Sequence, residues 1–215
     1  MTDRTSTPAV TAFLGLGANV GDALATLEAA VWAIDDIDGV AVDDTSAVYR
    51  TPPWPPADDP RAVAQDDFLN LVVRVVTSLA PHELLAQTQL VEAAFGRDRG
   101  AEVRWGPRVL DVDVLLYGDV VLDGDELVIP HPHLTERAFA LLPLAEVHPG
   151  GHLPDGRRVA ALLTACPGMD AIELDVRLSD VPGRRIERPE GPTGPRASFD
   201  RPERDALSRE HGDAR

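Results

Sequence analysis

The sequence predicts an α+β fold of the split β-α-β type with a mostly antiparallel sheet, on three observations. Apolar runs of strand length, closed by glycine or proline, recur across residues 10–117. Two stretches between them carry apolar residues at helical spacing. Their order, β-α-β-β-α-β, is the ferredoxin-like pattern, which would place two helices on one face of the sheet.

Ala9 to Gly17 (AVTAFLGLG) reads as the first strand, ended by glycine. Asn19 to Asp22 turns into a helix with Leu24, Leu27, Val31 and Ile34 on one side. Val40 to Arg50, rich in β-branched residues, reads as one strand. TPPWPPADDP ends it, because five prolines in ten residues cannot pair inside a sheet. Phe68 to Val76 is the next strand, and Pro81 and Gly96 suit the first turn and the end of the helix that follows. Val109 to Tyr117 is the last strand of the pattern. Val120 to Leu122 and Leu127 to Ile129 are expected to form a small hairpin across DGD, with helices at Leu134 to Leu144 and Val159 to Thr164. Residues 1–9 are expected to be a flexible arm and 10–180 a single domain. Residues 181–215, dominated by Pro, Gly, Arg and Glu, are expected to be a disordered tail.

With 215 residues, 44% of them hydrophobic, one core can form without staples. The lone cysteine, Cys166, excludes an internal disulfide framework. No run approaches the roughly 20 apolar residues of a membrane span, and MTDRTSTPAV lacks a signal core. A cytoplasmic protein without a membrane partner is expected. The formal charge of −16 argues against a nucleic-acid partner, since a polyanion would be repelled. The chain has no lysine, so wherever a cation must hold a phosphate only arginine or a metal ion is available. Residues 1–180 contain 12 Arg against 29 Asp plus Glu, whereas 181–215 contain 8 against 7. Yet Arg97, Arg99, Arg104 and Arg108 fall within one twelve-residue window. A basic cluster in an acidic domain marks where an anion would go.

Alternation along LDVDVLL puts Leu110, Val112, Val114 and Leu116 on one strand face and Asp111 and Asp113 on the other. The two acids are then about 7 Å apart, a separation that suits Mg²⁺ held jointly with water and phosphate oxygen. The arginines precede this strand in GRDRGAEVRWGPR, whose glycines at 96, 100 and 106 would let the loop move as a lid. Arginine's rigid fork of donors matches phosphate, and Trp105 offers a flat face to a ring. Together these residue types point to phosphoryl transfer from a nucleotide.

RWGPRVLDVDVLLYG (Arg104 to Gly118) resembles the signature segment of the 6-hydroxymethyl-7,8-dihydropterin pyrophosphokinase family. FLGLGANVGD, VYRTPP, DFLNLVV and IPHPHLTERAFALLPLAEVHP follow the family in order, so the resemblance covers roughly residues 10–160. It implies an αβα-layered ferredoxin-like core. It also implies transfer of diphosphate from ATP to the pterin hydroxymethyl group in folate biosynthesis, releasing AMP, with two Mg²⁺ ions as cofactors. Asp111 and Asp113 would hold both metals, which would bridge the phosphates and lower the pKa of the attacking hydroxyl. Arg97 and Arg108 would contact the transferring phosphates, making these four the catalytic set. Gln89, Glu92, Arg99, His131 and Arg137 would sit around the nucleotide. Trp105 and Phe139 would bracket the pterin, with Asn70, Thr51 and Pro52 at its polar edge. Phe68, also on the pterin side, stands where the family often has tyrosine. The segment between Pro53 and Phe68 is longer than usual, and Pro132 follows His131 where an aromatic is common. A monomer is expected.

Other readings fare worse. LGLGANVGD is spaced G-x-G-x-x-x-G, unlike a dinucleotide fingerprint, and no parallel βαβ series follows. His131 and His133 lack a third clustered histidine for a transition-metal hydrolase. A non-catalytic ferredoxin-like nucleotide-binding regulatory module would use the arginines but leave the acid pair unexplained.

Overall fold

A computed structural model describes residues 8–100, 103–169, 172–178 and 181–182. The expected arm, apart from residues 8 and 9, and the tail from 183 onward lie outside the described residues. In chain order the elements are β1 (Val10–Ala18), α1 (Ala23–Asp35), β2 (Val40–Thr45), β3 (Val48–Thr51), β4 (Phe68–Thr77), α2 (Pro81–Ala94), β5 (Asp111–Tyr117), β6 (Leu122–Asp123), β7 (Val128–Ile129), α3 (Ala138–Val147), α4 (Val159–Ala165) and β8 (Glu173–Val176).

The main sheet runs β5-β1-β4-β3-β8, with β2 also on β4. Its pairs are antiparallel. The split β-α-β order of the sequence is therefore the observed one. Apolar residues on both faces of β1 give the sheet two cores. Leu14 and Leu16 join Val112 and Val114 against Leu27, Val31 and Ile34 of α1 and Leu84 and Val91 of α2. Phe13, Val72 and Leu115 pack on the opposite side against Leu141 and Leu144 of α3 and Val159 of α4. The result is the αβα layering that the family resemblance implies.

Four expectations change in the folded chain. Val40 to Arg50 is not one strand, because Ser46 and Ala47 interrupt it. The Ser46 hydroxyl accepts from the Val72 N–H at 2.9 Å, and the Glu146 carboxylate accepts from the Ala47 N–H at 2.9 Å. Leu116 does not share a face with Val112 and Val114. The β1/β5 register shifts between Phe13 and Leu14, so Leu115 is an extra residue and Leu116 lies opposite Phe13 in the second core. The helix foreseen from Leu134 begins as a 3-10 turn at Leu134–Glu136. It breaks at Arg137, whose backbone is extended at φ −113° and ψ 96°, and α3 starts after it. The packed chain also runs past residue 180, since Val181 is buried and the Pro182 carbonyl accepts from Thr45 Oγ1 at 3.2 Å. The hairpin is present but short, with Leu122 opposite Ile129. Strand β8 went unforeseen because ELDV is only four residues long and exposed throughout, so its brief alternation marks no buried face. Among the described residues no helix is long and apolar enough to cross a membrane.

Candidate active site

The site lies on the α3 side of the sheet and is laid out by register. Residues paired across antiparallel strands share a face. One row contains Asp111 on β5, Gly17 on β1 and Asn70 on β4; the next contains Asp113, Gly15 and Val72. The central strand therefore gives the site a bare backbone floor flanked by two acids. A Cβ at position 17 would sit 2.7 Å from Asn70 Oδ1 and push that side chain aside. With that space open, Asn70 is buried and donates from Nδ2 to Thr51 Oγ1 at 2.7 Å.

Glu92 anchors the arginine cluster. It is only 1% exposed, and its carboxylate accepts from Arg97, from Arg99 and from the Val112 N–H at 2.8 Å. That last bond fixes α2 to the strand between the two aspartates. Arg97 Nη1 reaches Asp111 Oδ1 at 2.5 Å, and Arg108 Nη1 reaches Oδ2 at 2.8 Å. Burial alone would raise the Asp111 pKa, but Arg108 and Arg97 outweigh it and hold the carboxyl below its usual range. Asp113 differs: burial, reinforced by the charge of Asp111, pushes its pKa up to about 7. Its neighbours are farther away, with His131 Nε2 and Arg137 Nη1 each 3.6 Å from Oδ2. His131 Nδ1 accepts from the His133 N–H at 3.2 Å, so the neutral ring carries its proton on Nε2, toward Asp113. Burial, then Arg137 and His133, lower the His131 pKa to about 4.

Aromatic rings close the other side. Trp105 adopts a left-handed φ of 64°, held by Gln65 Nε2 donating to its carbonyl at 2.6 Å. Gln65 Oε1 accepts from Asn19 Nδ2 at 3.0 Å, and Asn19 Oδ1 accepts from the Arg108 N–H at 2.8 Å. Asn19 thus ties the end of β1 to the 54–67 segment and to the loop before β5. Trp54 meets Trp105 edge-on at 4.9 Å between centroids.

Of the expected site residues, Thr51, Pro52, Phe68, Asn70, Trp105 and Phe139 line one cavity with Arg108, Asp111, Asp113 and Arg137. Arg97 and His131 stand one contact behind it, through Asp111 and Asp113. Glu92 lies behind Arg97, Arg99 reaches the other Glu92 oxygen from an exposed position, and Gln89 is half-buried on α2 outside the cavity lining. Arg104 stacks on Trp105 instead of facing the acids. Sequence reasoning missed Gly15, Gly17, Asn19, Trp54 and Gln65. The two glycines left a readable signal: glycine at alternate strand positions marks a face that something approaches closely.

A split β-α-β sheet presenting paired acids, an arginine clamp and an aromatic-walled cavity defines an α+β enzyme of the phosphate-transferring class. The comparisons specify the family. The model of the 7,8-dihydro-6-hydroxymethylpterin-pyrophosphokinase family matches residues 13–149, and the chain belongs to that family. It is 49% identical over 138 residues to the 2-amino-4-hydroxy-6-hydroxymethyldihydropteridine pyrophosphokinase of Methylorubrum extorquens, covering 64% of this chain and 82% of that one. The enzyme of the same name from Pseudomonas aeruginosa is 41% identical over 155 residues, covering 72% and 91%. A crystal structure of Plasmodium falciparum HPPK-DHPS superposes with a TM-score of 0.58 at 17% identity. That match covers 75% of this chain but 46% of the longer one, and supports the fold alone.

Proposed function

We propose that the site transfers the terminal diphosphate of ATP to the hydroxymethyl oxygen of 6-hydroxymethyl-7,8-dihydropterin, with AMP as the leaving group. The chain is a pyrophosphokinase of folate biosynthesis by its family, and its relatives bear the enzyme's name, so a purely regulatory module is not favoured. The observation that carries the residue-level reading is the register that sets Asp111 and Asp113 beside a glycine floor, opposite Arg97 and Arg108.

In this reading Asn70, Thr51 and Pro52 meet the polar edge of the pterin, while Phe68, Trp105 and Phe139 surround its faces. Arg97 and Arg108 supply fixed positive charge to the transferring phosphates, where preorganised donors act most strongly in a water-poor site. Arg99, Arg137, His131 and Gln89 complete the nucleotide side. Glu92, fully enclosed, acts through the arginines it holds.

The residues present fit Mg²⁺. Two carboxylates share one strand face, and burial, with the charge of Asp111 second, raises the pKa of Asp113, so its ionised form is one that a bound cation would stabilise. Among the described residues no group of three or more acids, histidines or cysteines gathers as a metal site. Two carboxylates completed by phosphate oxygens and water is the habit of Mg²⁺. Asp111 and Asp113 would hold it, two ions in our reading, supplying charge neutralisation and a lower pKa for the attacking hydroxyl. We further propose a cytoplasmic monomer that binds neither nucleic acid nor membrane.

The test is to incubate the protein with ATP, Mg²⁺ and 6-hydroxymethyl-7,8-dihydropterin and to follow the nucleotide products. Pterin-dependent AMP is expected. ADP instead would indicate an ordinary kinase, and pterin-independent turnover or none would overturn the reading.

A further inference from the structure

The cavity of the site has one wall on a helix and another on a strand. α3 contributes Phe139 and Ala140, and the end of β3 contributes Thr51 with Pro52 after it. Seven residues beyond Phe139, and so on the same side of α3 two turns away, Glu146 reaches across to that strand. Its Oε2 accepts from the Ala47 N–H at 2.9 Å and from the Tyr49 hydroxyl at 3.2 Å. Ala47 is buried in the interruption between β2 and β3. The Ser46 hydroxyl donates to the Ala47 carbonyl at 2.7 Å, so side chains meet both backbone groups of a residue that the sheet ladder skips. Tyr49 pairs across from Asn70, and alternation puts it on the same face as Thr51, two residues on. The other oxygen of Glu146, Oε1, accepts from Arg177, which directly follows β8. β8 in turn pairs with β3 on the edge away from β4.

We propose that Glu146 is a positioning residue for the pterin. By holding the Ala47 N–H and the Tyr49 hydroxyl together, one carboxylate oxygen fixes the distance between α3 and β3, and with it the spacing of Phe139 from Thr51 across the cavity. Apolar packing of a helix on a sheet has no direction of its own, whereas two hydrogen bonds to fixed groups give the contact a register. Arg177 holds the carboxylate from its other side, so the chain after β8 belongs to the same brace. The nucleotide side is built on α2, β5 and the loop before β5, and stands apart from it. Glu146 touches no substrate in this arrangement and acts through the two walls it joins. The inference rests on the proposed function, which supplies the pterin as the occupant of the cavity.

Titration calorimetry of the full chain with 6-hydroxymethyl-7,8-dihydropterin, with Mg²⁺ and a non-hydrolysable ATP analogue present throughout, tests it. Glu146→Ala should bind the pterin about 10-fold more weakly, the factor that about one hydrogen bond commands. The analogue itself should bind within about twofold of its affinity for the parent, because its site shares no partner with Glu146. In steady-state kinetics the KM for pterin should rise about 10-fold while kcat stays within about threefold, a split that loss of folded protein would not give. Glu146→Gln can place its amide oxygen where Oε2 stands and keep both bonds, so its pterin affinity should stay within about twofold of the parent's. Tyr49→Phe, which removes one hydroxyl and no ring, should weaken pterin binding about 3-fold and covers the case in which the alanine variant fails to fold. Parent-like pterin affinity in folded Glu146→Ala or in Tyr49→Phe would overturn the proposal. So would a glutamine variant as weak as the alanine one, since the loss would then follow the charge and not the two bonds. A parent that binds the pterin but releases no AMP would overturn the functional reading alone, and one that does not bind it would overturn both.

Discussion

Replacing Glu92 with glutamine removes one negative charge from the most enclosed ionic position of the site and changes almost no volume. Glu92 is 1% exposed and accepts from Arg97, Arg99 and the Val112 N–H. The glutamine oxygen, placed where Oε1 stands, can keep the bonds from Arg97 and the Val112 N–H, but its NH₂ group then faces Arg99, and the negative charge that holds Arg97 is gone. Breaking a buried ion pair by neutralising one partner costs about 3–5 kcal/mol. Part of that is recovered, because Arg97 retains Asp111 at 2.5 Å and Arg99, with 52% of its side chain exposed, can rehydrate. A loss of about 2–4 kcal/mol is therefore expected, or a Tm lower by about 5–15 °C for a domain of this size. AMP release should fall about 100-fold, since a displacement of the order of 1 Å at Arg97 is enough for that. Thermal unfolding followed by circular dichroism, alongside AMP release, measures both quantities. A Tm within about 2 °C of the parent would refute the argument, because it would mean that Glu92 does not support Arg97 in the folded chain.

Asp113→Asn should abolish Mg²⁺-dependent turnover, by at least about 100-fold, while leaving the circular dichroism spectrum unchanged; turnover within a few-fold would remove Asp113 from the metal site. The same variant has a pH signature. An acid whose folded pKa lies at about 7, above its ordinary value of 3.8, costs stability progressively as pH rises from 4 to 7 and in full above that. In Mg²⁺-free urea unfolding the variant should thus exceed the parent in stability above pH 7, and the excess should vanish as pH falls toward 4. His131, lowered to about 4, pulls both proteins the other way below pH 6.5, and because it touches Asp113 the difference is read above that pH. Mg²⁺ affinity should drop up to about tenfold per pH unit below 7, because binding must release the Asp113 proton. Gly17→Ala, whose Cβ would press on Asn70 Oδ1 at 2.7 Å, should raise the KM for pterin more than it lowers kcat, as steady-state kinetics would show.

Much of this site was legible because it is periodic. Alternation over Leu110 to Val114 put Asp111 and Asp113 on the face opposite Val112 and Val114, and the register keeps them there. The same rule failed two residues later, at Leu116, because a bulge changes the phase of a strand and leaves no mark in LDVDVLL. The interruption at Ser46 was invisible for a related reason. It depends on a hydroxyl bonding to Val72, 26 residues away, while β propensity continues through the segment. The break at Arg137 falls inside a run with good helical spacing, so local pattern alone favoured one helix. Trp54, Asn19 and Gln65 entered the site through contacts spanning loops 40 or more residues apart, which local spacing cannot report. The glycines of LGLG were the opposite case. Their period of two was in plain view, but it was weighed against a nucleotide fingerprint instead of being read as a strand face without side chains.

That glycine floor has a consequence for where motion and chemistry can separate. β1 is an interior strand, bonded along its length to β4 on one side and β5 on the other. Amides so placed exchange with solvent only through the largest openings of a protein. The backbone beneath the substrates therefore belongs to the slowest-exchanging part of the molecule, while the 54–67 segment that carries Trp54 and Gln65 has no strand or helix of its own. Hydrogen exchange should register substrate as protection gained in that segment over a floor already protected without it, so the same surface can be remodelled at its walls without unsettling the sheet that carries its acids.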